Sequence, residues 1–305
     1  MRPAALLCAV LLLAPALASC TATHPGRGDR PAAALASSDS VRVVATGDIA
    51  CPPGAATDPR DCHAGATYRR VRALGPDLVL ALGDTQYQRG TLADYRASYA
   101  QSWGHLLAIT RPVPGNHEYK TSGARGYYRY FRDRQPGPPG YYRVRAGHWQ
   151  VYLLNSNCDR INCAREARWL GRAMNRHPTH CSLLAMHHPR YSSGREHGND
   201  PAVRGLWRVA LRHHADLVLA GHDHDYERFA RMGADGQRSR HGMVEIVAGA
   251  GGRSLYRMGS RKPGSRYFTA RHFGVLRLDL RPRSWTSAFV TTGGAVVDRG
   301  RHGCV

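Results

Sequence analysis

Five times before residue 225, an apolar stretch of this chain stops at glycine or histidine and then offers side chains that can bind a cation. The stretches are Val41 to Thr46, Asp77 to Leu82, Ile109 to Pro114, Ser182 to Met186 and Asp216 to Ala220. They are followed in turn by Gly47-Asp48, Gly83-Asp84-Thr85-Gln86-Tyr87, Gly115-Asn116-His117-Glu118, His187-His188-Pro189 and Gly221-His222-Asp223-His224. Short runs of β-branched and leucine residues bounded by turn signals read as buried strands. Between them, residues 64 to 75, 91 to 102, 164 to 176 and 201 to 213 are helix-like, with Ala167, Leu170, Ala173 and Met174 as the core face of the third. Strands alternating with helices imply an α/β fold whose chemistry gathers at the carboxyl ends of the strands.

The rest of the chain is less informative. Tyr127 to Phe131 reads as a helix packing on the core or as a rim of the cleft. Tyr141 to Arg145 and His148 to Leu154 read as a hairpin turning at Ala146-Gly147, with His148 structural. Val244 to Ala248, Val275 to Leu280 and Trp285 to Thr291 complete a sheet. The Gly249-Ala250-Gly251-Gly252 run lacks the lysine and following helix of a phosphate loop, so it reads as a tight turn.

The chain begins with Arg2, an apolar run from Ala4 to Ala14, and Leu17-Ala18-Ser19-Cys20. That is the layout of a secretory signal over residues 1–20, too short to span a bilayer. Its last four residues resemble the lipobox of bacterial lipoproteins, which implies a lipid anchor on Cys20; ordinary cleavage after Ala18 is the alternative. Cysteine parity favours the lipid, because it leaves an even six: Cys51, Cys62, Cys158, Cys163, Cys181 and Cys304. Short loops suggest Cys51 with Cys62 and Cys158 with Cys163, leaving Cys181 for Cys304. Residues 21–40 read as a flexible tether, and 41–305 as one domain without internal repeats. The formal charge of +21 comes almost wholly from arginine. Those arginines are spread out and not interleaved with aromatic residues, which argues against nucleic acid; a basic field would instead gather phosphate esters or anionic lipid.

Taken in order, the five blocks GD, GDTQY, GNHE, MHHP and GHDH resemble the calcineurin-like metallophosphoesterases, and within them the purple acid phosphatases, from about Val41 to Arg228. The resemblance implies a four-layer αββα sandwich of two mixed β-sheets flanked by helices. It also implies two metal ions about 3.5 Å apart sharing one carboxylate. Asp84 would be the bridge. A ferric ion would take Asp48, Asp84, Tyr87 and His224. A divalent ion (zinc, manganese or ferrous iron) would take Asp84, Asn116, His187 and His222. Most relatives place a histidine two residues after the first aspartate, where this chain has Ala50. That departure argues for Tyr87 as the replacement ligand and against the cyclic-nucleotide phosphodiesterase pattern.

The implied reaction is hydrolysis of phosphate monoesters by direct attack of metal-bound hydroxide, with His117 as the general acid. Asn116, His188 and His197 are the candidate substrate contacts. His188 also reads as a packing residue, and His197 as a surface-loop histidine. A diesterase or nucleotidase on the same site, and a metal- or wall-binding lipoprotein without turnover, are the alternatives. Substrate identity, the second metal and the oligomeric state stay open.

Overall fold

A computed structural model of the protein describes Met1 and residues 40–305. The expected signal, the Cys20 anchor and nearly all of the tether therefore lie outside the described residues. The first half of the domain alternates strand and helix: β1 (Val41–Thr46), α1 (Ala64–Leu74), β2 (Leu78–Leu82), α2 (Leu92–Ala97), β3 (Thr110–Val113) and α3 (Arg125–Tyr130). A hairpin of β4 (Tyr142–Ala146) and β5 (Trp149–Leu153) leads to α4 (Cys163–Arg176), β6 (Cys181–Ala185), α5 (Arg204–Arg212) and β7 (Leu217–Ala220). Six strands close the domain: β8 (Tyr226–Met232), β9 (Met243–Ala248), β10 (Ser265–Thr269), β11 (Gly274–Arg281), β12 (Ser284–Thr291) and β13 (Val296–Gly303).

The strands form two mixed sheets, ordered β13-β12-β11-β1-β2-β3 and β10-β8-β9-β7-β6-β5-β4. In the first, β1, β2 and β3 run parallel and β11 joins β1 antiparallel. In the second, β5, β6, β7 and β9 are parallel, with β4 and β8 antiparallel to their neighbours. One core lies between the sheets, where Val43, Leu80 and Leu82 meet Val151, Leu183, Leu219 and Ile246. A second packs α4 and α5 on the outer face of one sheet through Leu170, Met174, Leu206 and Trp207. A third packs α1, α2 and α3 on the other through Val71, Tyr95, Tyr127 and Phe131. Strands covered on both faces must be apolar at every position, which is why they read as continuous runs. The expected αββα sandwich is the observed one.

Local differences have local causes. The helix expected over residues 91–102 ends at Ala97, because Ser98 and Ser102 leave helical geometry at φ −126° and −137°. Ser98 donates to the Cys51 carbonyl, and the Tyr99 N–H goes to the Gln86 side chain. Tyr127 and Phe131 are fully buried, which settles that segment as core. The strands β8, β10 and β13 were not expected, since arginines interrupt their apolar pattern. The three disulfides are Cys51–Cys62, Cys158–Cys163 and Cys181–Cys304, as the spacings suggested.

Candidate metal centre

The carboxyl ends of β1, β2, β3, β6 and β7 converge, and those of β1, β2 and β7 turn sharply. Asp48, Asp84 and His222 sit at φ 59°, 45° and 71°, a left-handed backbone that costs a residue with a Cβ about 1 kcal/mol or more. The turns also need small neighbours. A Cβ on Gly115 would stand 2.2 Å from Asp84 Oδ1, and one on Gly83 would stand 2.6 Å from His187 Nδ1. The glycines of the GDTQY and GNHE blocks therefore let the side chains of His187 and Asp84 lie against backbone.

Two groups of polar atoms meet at Asp84. On one side, Tyr87 Oη lies 2.8 Å from Asp48 Oδ1, 3.0 Å from Asp84 Oδ2 and 2.9 Å from His224 Nε2. On the other, His187 Nε2 lies 3.4 Å from Asp84 Oδ2, 3.1 Å from Asn116 Oδ1 and 3.2 Å from His222 Nδ1. These are the two sets expected from the sequence, with His222 and His224 facing opposite ways out of one turn. Asp48, Asp84, Tyr87, His187 and His224 are all at most 2% exposed.

The atoms that face away from the centre are already occupied. His187 Nδ1 donates to the Leu82 carbonyl at 2.8 Å, and His224 Nδ1 meets Ser254 Oγ at 2.9 Å, so both rings present Nε2 inward. Asp48 Oδ2 accepts the His222 N–H and Asp84 Oδ1 accepts the His117 N–H, at 2.8 and 2.7 Å. That leaves one inward oxygen on each carboxylate.

The electrostatics are those of a site made for cations. Burial raises the Asp84 carboxyl, but His187 and His117 outweigh it and hold the group well below the usual carboxylate range. Burial, with Asp48 and Asp84 adding to it, pushes the Tyr87 phenol well above its usual 10. Burial opposes a charge on His187, yet Asp84 carries it up to about 10. His222 is driven well below 6.5 by burial and by His187 and His188. Carboxylates, a phenol and imidazoles aimed at common points form a hard-to-borderline donor set. A di-cation site fits these residues.

Several supporting residues were not singled out in the sequence. Glu118, fully buried, accepts from the Asp84 and Thr85 N–H groups at 2.9 and 2.8 Å and from Gly115 N–H at 2.7 Å. It also accepts from the Thr85 and Tyr95 hydroxyls, so one carboxylate fixes the turns after β2 and β3. Asp61, beside the Cys51–Cys62 bridge, holds the backbone of Ser254 and pairs with Arg253. Ser156 Oγ accepts the His187 and His188 N–H groups at 3.1 and 2.9 Å.

The expected rim residues are present around the opening. His197 is an exposed loop residue, as one of its two readings has it, and its ring stacks on His222 with centroids 3.9 Å apart. His188 is held by Ser156 at 2.8 Å, and burial with His187 pushes it down to about 3. His117 packs against Tyr87 at 4.2 Å and donates from Nδ1 to the Gln88 carbonyl at 2.7 Å. Tyr256 joins this wall unannounced by any motif, lying flat on His224 at 3.8 Å.

The comparisons agree with this geometry. Residues 41–226 match the calcineurin-like phosphoesterase family model. Purple acid phosphatase 21 of Arabidopsis thaliana is 28% identical over 184 residues, covering 53% of this chain and 41% of that relative. A phosphoenolpyruvate phosphatase of Allium cepa is 27% identical over 271 residues, covering 72% of this chain and 54% of the relative. The chain thus spans about half the length of the curated relatives it matches. Among solved structures, a purple acid phosphatase from yellow lupin seeds superposes with a TM-score of 0.73 at 18% identity, over 88% of this chain and 55% of that one. The anchor of the Plasmodium inner membrane complex superposes with a TM-score of 0.64 at 15% identity, over 87% and 89%. By its matched residues, its two-sheet fold and its purple-acid-phosphatase-like relatives, this chain belongs to the calcineurin-like phosphoesterases.

Proposed function

We propose that the chain is an exported, lipid-anchored phosphomonoesterase that works with two bound cations. The observation that carries this reading is Asp84 Oδ2, which faces Tyr87 Oη at 3.0 Å and His187 Nε2 at 3.4 Å and so is shared by both ligand sets. The set Asp48, Asp84, Tyr87 and His224, rich in anionic oxygen, suits a ferric ion. The set Asp84, Asn116, His187 and His222 suits zinc, manganese or ferrous iron. Such a pair, when bound, supplies neutralisation of the phosphate oxygens and an acidified water. The disulfides support an oxidising compartment and hence export.

The chain's own groups then have distinct tasks. With Nδ1–H committed to Gln88, His117 turns Nε2 inward, 3.9 Å from Asp84 Oδ2. We assign to that nitrogen the proton given to the leaving oxygen. The Asn116 amide nitrogen, His188 and His197 contact the phosphate or its ester group. Burial of the ligands keeps bulk water from competing for the bound oxygens.

The competing reading is binding without turnover, suggested by the same fold in the Plasmodium anchor protein. Metal analysis of the purified protein, followed by hydrolysis of p-nitrophenyl phosphate and its bis-ester, separates the two. About two metals per chain and faster monoester turnover are expected. A visible tyrosinate-to-iron band lost in Tyr87→Phe would place the ferric ion. Folded protein that takes up no metal would sink the reading, and faster diester turnover would replace phosphomonoesterase with phosphodiesterase.

A further inference from the structure

The mouth of the site carries a cation that none of these tasks uses. Lys120 is one of only two lysines in a chain whose positive charge is otherwise arginine. It sits in the short 3-10 turn Glu118–Lys120, directly after His117. Its Nζ lies 3.0 Å from both ring nitrogens of His117 and 3.5 Å from Gln88 Oε1. Among the described residues, no carboxylate lies within ion-pair distance of it. The carboxylate whose field reaches it is Asp84, the residue shared by the two ligand sets.

An ammonium has three donors. His117 Nδ1 is itself a donor to the Gln88 carbonyl, so it cannot accept from Lys120, and the Gln88 contact is longer than an ordinary hydrogen bond. At least one donor of the exposed Lys120 therefore has no acceptor among the described residues. We infer that Lys120 binds a second anionic group on the leaving-group side of the substrate. The preferred substrates are phosphate monoesters or anhydrides whose leaving group carries a carboxylate or a further phosphate close to the bridging oxygen. This rests on the phosphomonoesterase reading and on His117 facing the leaving group.

Distance supports it. His117 Nε2 gives its proton to an oxygen roughly 3 Å away, so Lys120 Nζ stands within roughly 6 Å of the ester oxygen. An oxyanion two to four bonds beyond that oxygen fits between them. Lysine meets such a group as a flexible point charge and works equally for carboxylate and phosphate.

The test compares phenyl phosphate, 2-carboxyphenyl phosphate and inorganic pyrophosphate as substrates of the metal-loaded wild-type protein, Lys120→Met and Lys120→Arg. Lys120 is exposed, so the variants fold. In Lys120→Met, kcat/KM for the two anionic substrates falls about tenfold further than for phenyl phosphate, the loss of one charge-assisted contact, and Lys120→Arg restores most of the preference. A loss confined to the carboxylated ester or to pyrophosphate says which anion the lysine serves. Equal losses on all three substrates mean that Lys120 acts only through His117, and overturn this inference alone. No turnover of any substrate by the wild-type protein overturns the phosphatase reading together with it.

Discussion

Asp61 accepts the backbone N–H of Ser254 at 2.9 Å, although 193 residues separate the two. Through that contact the Cys51–Cys62 loop holds the strap that follows β9. Arg253 on the strap pairs with Asp61 and lies over the Tyr87 ring, Ser254 orients His224, and Tyr256 stacks on it. A carboxylate with no place among the ligands thus orients two of them.

Replacing Asp61 by Asn keeps an acceptor for Ser254 and removes the ion pair with Arg253. Metal affinity on the Tyr87 and His224 side should fall about tenfold, the usual size for such a supporting contact. Burial raises the Asp61 carboxyl, but Arg253 and Ser254 outweigh it and leave it below its ordinary 3.8. A lowered pKa in the folded state stabilises at pH above about 4 and is lost as pH falls through the folded value. Urea titrations of wild type and Asp61→Asn should therefore converge on acidification. A stability gap that stays constant from pH 6 to pH 3 would show that the pair contributes nothing.

The proposed ligands are marked in the sequence, and this strap is not, for one physical reason. Asp48, Asp84, Asn116, His187, His222 and His224 each lie within four residues of the end of a buried strand, so a local pattern of apolar run, turn and donor marks them. Tyr87 lies five residues beyond the end of β2 and three beyond Asp84. Asp61, Ser254 and Tyr256 lie in irregular loops, Ser156 matters only because the fold brings it to the His187 backbone, and Glu166 only because it holds the neighbouring Asn155. Their partners are 11 to 193 residues away and leave no periodic trace. The unexpected strands β8 and β13 failed for a related reason. Arg228 of β8 pairs with Asp298 of β13, one strand in each sheet, so a charged position is satisfied between the sheets and breaks the apolar pattern without breaking the strand.

Glu118→Gln should be costly for so conservative a change. Each carboxylate oxygen accepts at least two hydrogen bonds, and all the partners are donors. An amide must turn its NH₂ toward one of those sets, leaving buried donors facing a donor. Urea denaturation should show a loss of about 2 to 4 kcal/mol, with metal stoichiometry reduced as the Asp84 turn loosens. Wild-type values for both would remove Glu118 from the support of the site.

His117→Asn should separate catalysis from metal binding. Only the backbone N–H of His117 touches a proposed ligand by hydrogen bond, and Asn keeps that group. Turnover of an aryl phosphate should fall by about 10²-fold or more with metal content unchanged. If metal is lost in proportion to activity, the residue is structural.

The three disulfides should rank by the loop each closes. Cys181–Cys304 spans 123 residues, Cys51–Cys62 spans 11 and Cys158–Cys163 spans 5. Loop-closure entropy gives about 5, 3 and 2 kcal/mol for removing them in that order. Thermal melts of paired Cys→Ala variants test the ranking. A larger loss from Cys51–Cys62 than from Cys181–Cys304 would mean that the strap's contacts outweigh chain entropy.

Alkaline conditions should weaken the ledge beneath His187 through Glu166. This side chain in α4 is fully buried and accepts the Asn155 N–H at 2.8 Å, while its second oxygen has no partner among the described residues. Burial pushes its carboxyl up to about 8, against the smaller opposing effect of Asn155. A carboxyl raised in the folded state favours folding fully below its unfolded value near 4.5, and that advantage is lost as pH rises through about 8. Wild-type stability should therefore decline between pH 5 and pH 9. Glu166→Gln keeps the acceptor for Asn155 and never ionises, so its stability should hold over the same range. Asn155 and Ser156 carry the loop that grips His187 and His188, so wild type should also lose metal at the alkaline end sooner than the variant does. Parallel stability curves for the two proteins would show that Glu166 is already charged in its buried site.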